Sequence, residues 1–183
     1  MTLKTMLLLP LLAMPGAAIA ADWTQQHDST LGFSGSAQGE AFNGQFKQFE
    51  ADIRFDPQDI ANARFDVRIQ LDSVDSANSE RDDTLRSADF FNVAAIPEAR
   101  YLAEHFEKDG DCFVAKGKLA LNGKTVDVPL QFQFRITDAE ATLDGKATLD
   151  RLDFNVGGGD WADPSMIDTA VRVTTHLQLK AEE

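Results

Sequence analysis

Residues 126–137 read VDVPLQFQFRIT, and this stretch decides the fold. From Val126 to Ile136 every second residue is apolar, while the positions between them carry polar or charged residues and one proline. Alternation with a period of two residues is the pattern of a β-strand that buries one face. We therefore predict a long strand here, with its apolar side chains turned towards a core.

Other parts of the chain repeat this alternation. Residues 65–72 and 171–180 show it over a comparable length. Shorter stretches at 53–55, 101–106, 113–121 and 149–156, and one around Phe33, look like further strands. The chain has no long linker, internal repeat or low-complexity tract, so these strands are expected to form one domain.

Four dipeptides have the composition of tight hairpin turns, because asparagine, aspartate and glycine all tolerate a positive φ. Asn122-Gly123 is the clearest, since the alternation runs into it through Leu121 and resumes at Val126. The full set is Asn43-Gly44, Asp109-Gly110, Asn122-Gly123 and Asp144-Gly145. These dipeptides predict antiparallel strands in series, joined by short loops.

One interval, residues 78–92 (NSERDDTLRSADFFN), lacks the alternation. Asn78 and Ser79 are capping residues, acids occupy the first turn, and Leu85 is placed to face inward, which predicts a short helical insertion near residues 79–90. A second helical turn is expected to start at Asp56-Pro57, because proline suits the first helical position.

Strands with one apolar face must bury it, either between two packed sheets or inside one sheet closed on itself. Closure is favoured by the long strands, the hairpin turns and the 13 phenylalanines, against a single tyrosine. Phenylalanine suits an interior that offers no hydrogen bonds. We predict an all-β fold, an extended antiparallel lipocalin-like β-barrel of about eight strands, whose interior has room for a packed core or one slender ligand.

The N-terminus has the composition of a cleavable export signal. Lys4 precedes a short apolar run over residues 6–14, and Ala18-Ile19-Ala20 provides small residues at the cleavage point. The run is much shorter than the about 20 residues that span a bilayer. We predict a signal peptide over residues 1–20, cleaved after Ala20, a mature barrel domain over residues 21–183, and a periplasmic location.

The charge of the chain excludes some partners. A formal net charge of −13, with the basic residues scattered singly, repels nucleic acid and anionic membrane surfaces. We expect no nucleic-acid binding and no stable membrane insertion. Cys112 is the single cysteine and has no internal disulfide partner.

No motif in the sequence predicts a metal site or a catalytic residue. His27, His105 and His176 are widely separated, without cysteine or carboxylate at metal-ligand spacing. No Gly-x-Ser-x-Gly or Ser-x-x-Lys arrangement is present. The charged neighbours Arg81 and Asp82 are better explained by a structural role, in which the arginine bridges to a loop carboxylate such as Asp72 or Asp75.

Several short motifs, taken in their order, resemble the YceI-like family of periplasmic lipocalin-like proteins. They are HDSTLGF at 27–33, GQF at 44–46, FDP at 55–57, LDSVD at 71–75, RDDTLRSADFF at 81–91, GKLALNG at 117–123 and DRLDF at 150–154. The resemblance covers almost the whole mature chain, and RDDTLRSADFF is its most specific part. It implies an extended barrel with an apolar internal channel that binds polyisoprenoid chains, including those of isoprenoid quinones. Two segments depart from the family pattern, residues 35–43 (GSAQGEAFN) and 157–164 (GGGDWADP).

From alternation alone, the inward apolar side chains either fill a core or line a channel, and the resemblance favours a channel for some of them. Trp161 follows three glycines in a loop expected to lie over one barrel end. The predicted ligand-binding residues are Phe33, Phe46, Phe49, Phe65, Val67, Ile69, Phe90, Phe91, Leu119, Phe132, Phe134, Phe154 and Trp161.

These features predict a binding or carrier protein for an isoprenoid lipid, either a quinone or a polyprenyl chain, that uses no cofactor other than the bound lipid. A pyrophosphate head would meet a strongly negative protein without clustered lysine or arginine, so a neutral quinone head is favoured. Two alternatives stay open: an accessory partner that contacts a membrane b-type cytochrome through the Trp161 loop, and an enzyme acting on a hydrophobic substrate. A homodimer is also left open.

Overall fold

The computed structural model describes residues 22–182, so the predicted signal peptide lies outside the described residues. The described part consists mainly of antiparallel strands, with one α-helix and four short 3₁₀ helices. The strands are β1 (Asp22–Gln25), β2 (Thr30–Ala37), β3 (Glu40–Phe46), β4 (Phe49–Arg54), β5 (Arg64–Gln70), β6 (Val74–Asp75), β7 (Glu98–Asp109), β8 (Cys112–Leu121), β9 (Lys124–Thr137), β10 (Glu140–Asp150) and β11 (Ala170–Ala181). The helix α1 spans Ser79–Arg86.

The sheet closes into an eight-stranded barrel, which confirms the predicted fold. Three of the barrel strands are interrupted, so that β1 continues into β2, β3 into β4, and β5 into β6. The combined β1–β2 strand pairs with β3–β4 on one side and with β11 on the other. The ring then continues through β5, β7, β8, β9 and β10 back to β11. Closure leaves these strands without a free edge.

Two of the four predicted hairpin turns are confirmed. Asn122 and Gly123 have positive φ angles of 47° and 74° and join β8 to β9. Gly110, with φ of 60°, lies in the turn between β7 and β8. Two further tight turns between neighbouring strands lie at Gln38-Gly39, inside the polar segment 35–43, and at Asp138-Ala139.

The predictions of turns at Asn43-Gly44 and Asp144-Gly145 are wrong, because both dipeptides lie inside strands. Gly44 is paired with Phe33, and a Cβ atom on Gly44 would lie only 2.4 Å from the Phe33 ring. A Cβ on Gly145 would lie 2.8 Å from the methyl group of Thr175. These glycines therefore serve close side-chain packing across the sheet rather than a chain reversal.

The helical insertion is confirmed but is shorter than expected. The Asn78 side chain caps α1 by accepting a hydrogen bond from the backbone N–H of Arg81 at 3.0 Å. The helix ends at Arg86, and the N–H of Phe91 then folds back onto the carbonyl of Leu85 at 3.0 Å. This reversal buries Phe90 and Phe91 instead of extending the helix.

The second predicted helical turn is displaced. Asp56 and Pro57 form a turn in which the Asp56 side chain accepts the N–H of Gln58 at 2.8 Å, and the 3₁₀ helix begins at Ile60. An aspartate that binds the backbone two residues later favours this local turn over a helix start. No helix within residues 22–182 is long and apolar enough to cross a membrane.

The barrel interior contains two apolar regions. At the end of the barrel away from α1, five phenylalanine rings pack edge to face or tilted around a sixth, Phe55, which is 0% exposed. We call this group the aromatic plug; its members are Phe55, Phe65, Phe106, Phe113, Phe132 and Phe134. The indole N–H of Trp23 donates to the carbonyl of Phe55 at 2.9 Å and holds the plug to the barrel wall.

On the outer surface, a buried carboxylate makes the stability of the barrel depend on pH. Asp66 is 2% exposed and accepts hydrogen bonds from Arg100 at 2.6 and 2.7 Å and from Arg64 at 2.9 Å. The hydrogen bonds from Arg100 lower the pKa of Asp66 to about 2, with help from Arg64 and against the opposing effect of burial.

A depressed pKa in the folded state means that Asp66 stabilises the barrel above the unfolded pKa of about 3.9 and ceases to do so as the pH falls from 4 towards 2. We expect Asp66→Asn to lower the free energy of unfolding at pH 7 by about 1–2 kcal/mol, a value reduced because both arginines are partly exposed. The variant should also lose stability less steeply between pH 4 and pH 2, as urea unfolding at several pH values would measure. Asp127→Asn, at an exposed position, serves as the control. An equal pH dependence of stability in both variants would contradict the assignment of this dependence to Asp66.

Candidate binding channel

Between the aromatic plug and the helix α1, the barrel contains a cavity of about 200 Å³. Its wall is built by the strand alternation, which turns apolar side chains inward from both halves of the barrel. The helical segment and the loop after β10 surround its mouth. The apolar lining residues are Leu31, Phe33, Phe42, Phe46, Ile53, Phe65, Val67, Ile69, Leu71, Leu85, Phe90, Phe91, Ala99, Leu119, Leu121, Val128, Leu130, Leu143, Ala147, Leu149, Val156, Ile167, Val171, Val173 and Leu177.

Eight of the residues that the sequence suggested for ligand binding lie in this lining. Val67 and Ile69 project from β5, for example, and Leu119 from β8. Phe90 and Phe91 reach the cavity from the segment that follows α1. The eight are Phe33, Phe46, Phe65, Val67, Ile69, Phe90, Phe91 and Leu119.

The other five suggested residues lie outside the lining. Phe132 and Phe134 belong to the aromatic plug, and Phe49 is partly buried against both apolar regions. Phe154 is fully buried behind the wall. Trp161 packs on the ring of Phe90 with a centroid separation of 5.7 Å. Alternation identifies the inward face of a strand but not the depth of a residue along the barrel.

Arg151 is a site residue that the sequence analysis missed. Its side chain lines the mouth and the residue is only 3% exposed. The guanidinium donates to five backbone carbonyls, those of Val156, Gly157, Trp161, Ile167 and Asp168. Burial lowers the pKa of Arg151 below its ordinary value. Since a guanidinium carries five N–H donors, Arg151 holds the loop over the mouth and has no N–H left for a ligand.

Tyr101 is the single tyrosine, and it presents an apolar face to the cavity. Its hydroxyl lies 3.2 Å from the carbonyl of Ala115 and 3.1 Å from that of Val128. Burial raises the pKa of Tyr101 well above its ordinary value. The ring lies over Gly117, where a Cβ atom would come within 2.1 Å of it. The polar end is therefore bonded to the barrel wall.

The charged segment at the start of α1 has the structural role that the sequence indicated, with different partners. Asp82 is buried and accepts hydrogen bonds from the N–H and the hydroxyl of Ser76 at 2.8 and 2.6 Å. Arg81 donates to the hydroxyl and the carbonyl of Ser76, so the suggested bridge to Asp72 or Asp75 is wrong. The Arg81 guanidinium also lies 4.7 Å from the ring centre of Phe42, at the cavity rim.

A polar groove adjoins the mouth and shares the side chain of Phe90 with the cavity. Its carboxylates come from Glu80, Asp83 and Asp89. Trp161 closes the groove on the side of the loop after β10. Arg86 pairs with Asp83 at 3.3 Å, and since the carboxylates outnumber this arginine, the surface next to the mouth is negatively charged. Within residues 22–182, no group of three or more histidine, cysteine, aspartate or glutamate residues is arranged to hold a metal ion.

Comparison with known protein sequences gives a match over nearly the whole described chain. The model of the YceI-like domain matches residues 23–179. Protein YceI from Escherichia coli O157:H7 is 37% identical over 120 residues, which cover 63% of this chain and 63% of that protein. A UPF0312 protein from Photorhabdus laumondii is 38% identical over 103 residues, 56% of this chain and 50% of that protein. The matched segments thus span between half and two thirds of these relatives.

Solved structures share the same barrel. The crystal structure of BcnA from Burkholderia cenocepacia superposes with a TM-score of 0.79 at 27% identity, covering 82% of this chain and 95% of that one. A polyisoprenoid binding domain from Saccharophagus degradans, implicated in plant cell wall breakdown, gives a TM-score of 0.67 at 18% identity, with 90% and 99% covered. At such low identity the second likeness concerns the fold alone.

Proposed function

The chain belongs to the YceI-like family, and on that premise we propose that it is a periplasmic carrier that holds an isoprenoid lipid in its barrel channel. The observation that carries the proposal is the predominantly apolar cavity, in whose lining the polar residues besides Tyr101 and Arg151 are Ser36, Asp168 and Thr175. The polar ends of Tyr101 and Arg151 are already bonded to backbone carbonyls. A polyisoprenoid binding domain with the same fold gives further support.

Burial of hydrocarbon supplies enough free energy for such binding. Removing apolar groups from water contributes about 0.8 kcal/mol per methylene, so a five-carbon isoprene unit contributes up to about 4 kcal/mol before entropy costs. A few buried units can therefore offset the association cost of about 4–15 kcal/mol without any polar contact. This mechanism is binding rather than catalysis, and it needs no cofactor besides the lipid itself.

For the head group we propose a neutral quinone rather than a phosphate. The groove beside the mouth carries the carboxylates of Glu80, Asp83 and Asp89. The nearby guanidinium groups of Arg81 and Arg151 are engaged with protein oxygens. A phosphorylated head would meet repulsion there, whereas a neutral head would not. The periplasmic location rests on the export signal predicted for residues 1–20.

The experiment is organic extraction of the purified full-length protein, followed by mass spectrometry of the released species. We expect an isoprenoid with a neutral head from the natural chain. In Ala147→Phe a benzyl group projects into the channel from β10, and its lipid content should fall at least tenfold because the hydrocarbon path is blocked. The matched control is Thr148→Phe, at the next, outward-facing position of the same strand.

Three results would count against the proposal. Recovery of only phosphorylated prenols would overturn the neutral head. Equal lipid content in Ala147→Phe and Thr148→Phe would remove the channel as the binding site. An extract without any isoprenoid, from protein purified without detergent, would contradict the carrier function itself.

A further inference from the structure

The two ends of the channel differ in a way that bears on ligand length. The mouth is surrounded by the helical segment and the loop that Arg151 holds. The opposite end is closed by the aromatic plug, because Phe65 and Leu143 both line the cavity and pack within the plug region. Each is only 1% exposed. Ile53 and Leu177 meet the same two conditions, and the four residues form the floor of a channel that is blind at this end.

The strands give the depth of the channel. On β11 the lining extends from Val171 near the mouth to Leu177 near the floor. Six residue steps along a strand cover about 20 Å, and a strand tilt of about 40° reduces this to about 15 Å along the barrel axis. An extended isoprene unit has four main-chain bonds and measures about 5 Å, in proportion to the three bonds of an amino-acid residue. The depth therefore accommodates about three units.

The volume of the cavity also indicates a short ligand. At about 200 Å³ it is only moderately larger than the about 150 Å³ of an engineered cavity that binds benzene, a six-carbon ring. Such a space holds between one and two isoprene units unless the wall relaxes. A polyprenyl chain of eight or more units exceeds both the depth and the volume.

From the blind floor, the depth and the volume, we infer that this channel takes a short isoprenoid of at most about three units, and that the floor residues, Leu143 among them, set this length. The inference rests on the proposed function and narrows its ligand class. Any further unit of a longer chain lies outside the mouth. There it meets water beside the acidic groove of Glu80, Asp83 and Asp89.

The test is a competition in which the protein extracts prenols from a membrane. Delipidated full-length protein is incubated with phosphatidylcholine vesicles that contain equal amounts of free prenols of two, three, four and nine isoprene units, and the retained prenols are measured by mass spectrometry. A unit that moves from the bilayer into the channel stays in an apolar environment, whereas a unit left outside the mouth becomes exposed. We therefore expect similar retention of the two- and three-unit prenols and at least a tenfold loss for the nine-unit chain.

A pair of matched substitutions tests the floor. Leu143→Ala deletes three carbons at the floor, fewer than the five of one isoprene unit, and should raise the retention of the four-unit prenol relative to the three-unit prenol. Leu179→Ala deletes the same atoms from an equally buried residue that packs in the plug region but does not line the cavity, so the ratio of the two prenols should not change. If a variant fails to fold, the competition among the prenols in the natural protein still tests the length limit.

The outcomes separate the two proposals. Retention of the nine-unit prenol at or above the level of the three-unit prenol would overturn the length limit and leave the carrier function intact. Identical profiles for folded Leu143→Ala and Leu179→Ala would remove Leu143 from the floor and overturn the inference in its present form. Failure to retain a prenol of any length would overturn the carrier function together with this inference.

Discussion

Arg151→Leu is expected to lower the free energy of unfolding by about 3–5 kcal/mol, because a buried hydrogen-bonding centre is removed while its partners stay buried. The natural guanidinium serves five backbone carbonyls of the loop between β10 and β11. A leucine side chain satisfies none of them. The cost of an unmade buried hydrogen bond exceeds the gain from an additional apolar contact at the mouth.

Urea unfolding of the natural protein and the variant measures this difference. Arg172→Leu is the matched control, since Arg172 is exposed on β11 and its replacement should change stability by less than about 0.5 kcal/mol. Arg151→Lys should fall between the two, because an ammonium group has three donors and lacks the planar fork. A loss below 1 kcal/mol in Arg151→Leu would mean that the loop carbonyls find other partners and that Arg151 does not hold the mouth.

Phe55→Ala should have an effect of similar size at the other end of the barrel, a loss of about 3–5 kcal/mol. Phe55 is fully buried and its ring lies 4.9, 5.0 and 5.1 Å from the ring centres of Phe134, Phe113 and Phe132. Truncation removes these contacts and leaves a void that the closed sheet cannot collapse to fill. The aromatic plug should therefore loosen as a unit.

Thermal or urea unfolding again provides the measurement, with Phe42→Ala as the control. Phe42 is a phenylalanine at the cavity rim that is only partly buried, so its truncation should cost about 1 kcal/mol or less. If the two substitutions destabilised the protein equally, the plug would be no more tightly packed than the rim, and its role as a rigid end of the channel would be contradicted.

The local patterns of the sequence predicted the barrel well, because they act over a few residues. The alternation of 126–137 predicted β9, and Asn122-Gly123 predicted the hairpin turn before it. Asn78 predicted the start of α1 through its capping side chain. The turn predicted at Gly44 was wrong, because this glycine is required where the Phe33 ring on a neighbouring strand leaves no room for a Cβ atom. A contact between strands is invisible to a rule that considers only adjacent residues.

The residues of the candidate site were likewise predicted from the sequence only in part. Alternation selected Val67 and Ile69 correctly as inward side chains, and both line the cavity. It selected Phe132 equally, although that ring lies in the aromatic plug. Inward direction follows from the two-residue period of a strand, whereas depth depends on the register of each strand against its neighbours. Arg151 was missed because its five partners are backbone carbonyls, which carry no sequence signal.

By itself, therefore, the sequence determined that the chain forms one-sided antiparallel strands with a helical insertion, and that these strands bury an apolar interior. Those properties depend on side-chain period, capping and turn residues, which are local. Only the tertiary structure decided where the interior is packed and where it is open, since closure of the barrel places Phe55 among the plug rings and leaves Leu143 at the floor of the cavity. That division depends on strand register and side-chain volume summed over the whole ring, which are physical properties of the closed sheet rather than of any one segment.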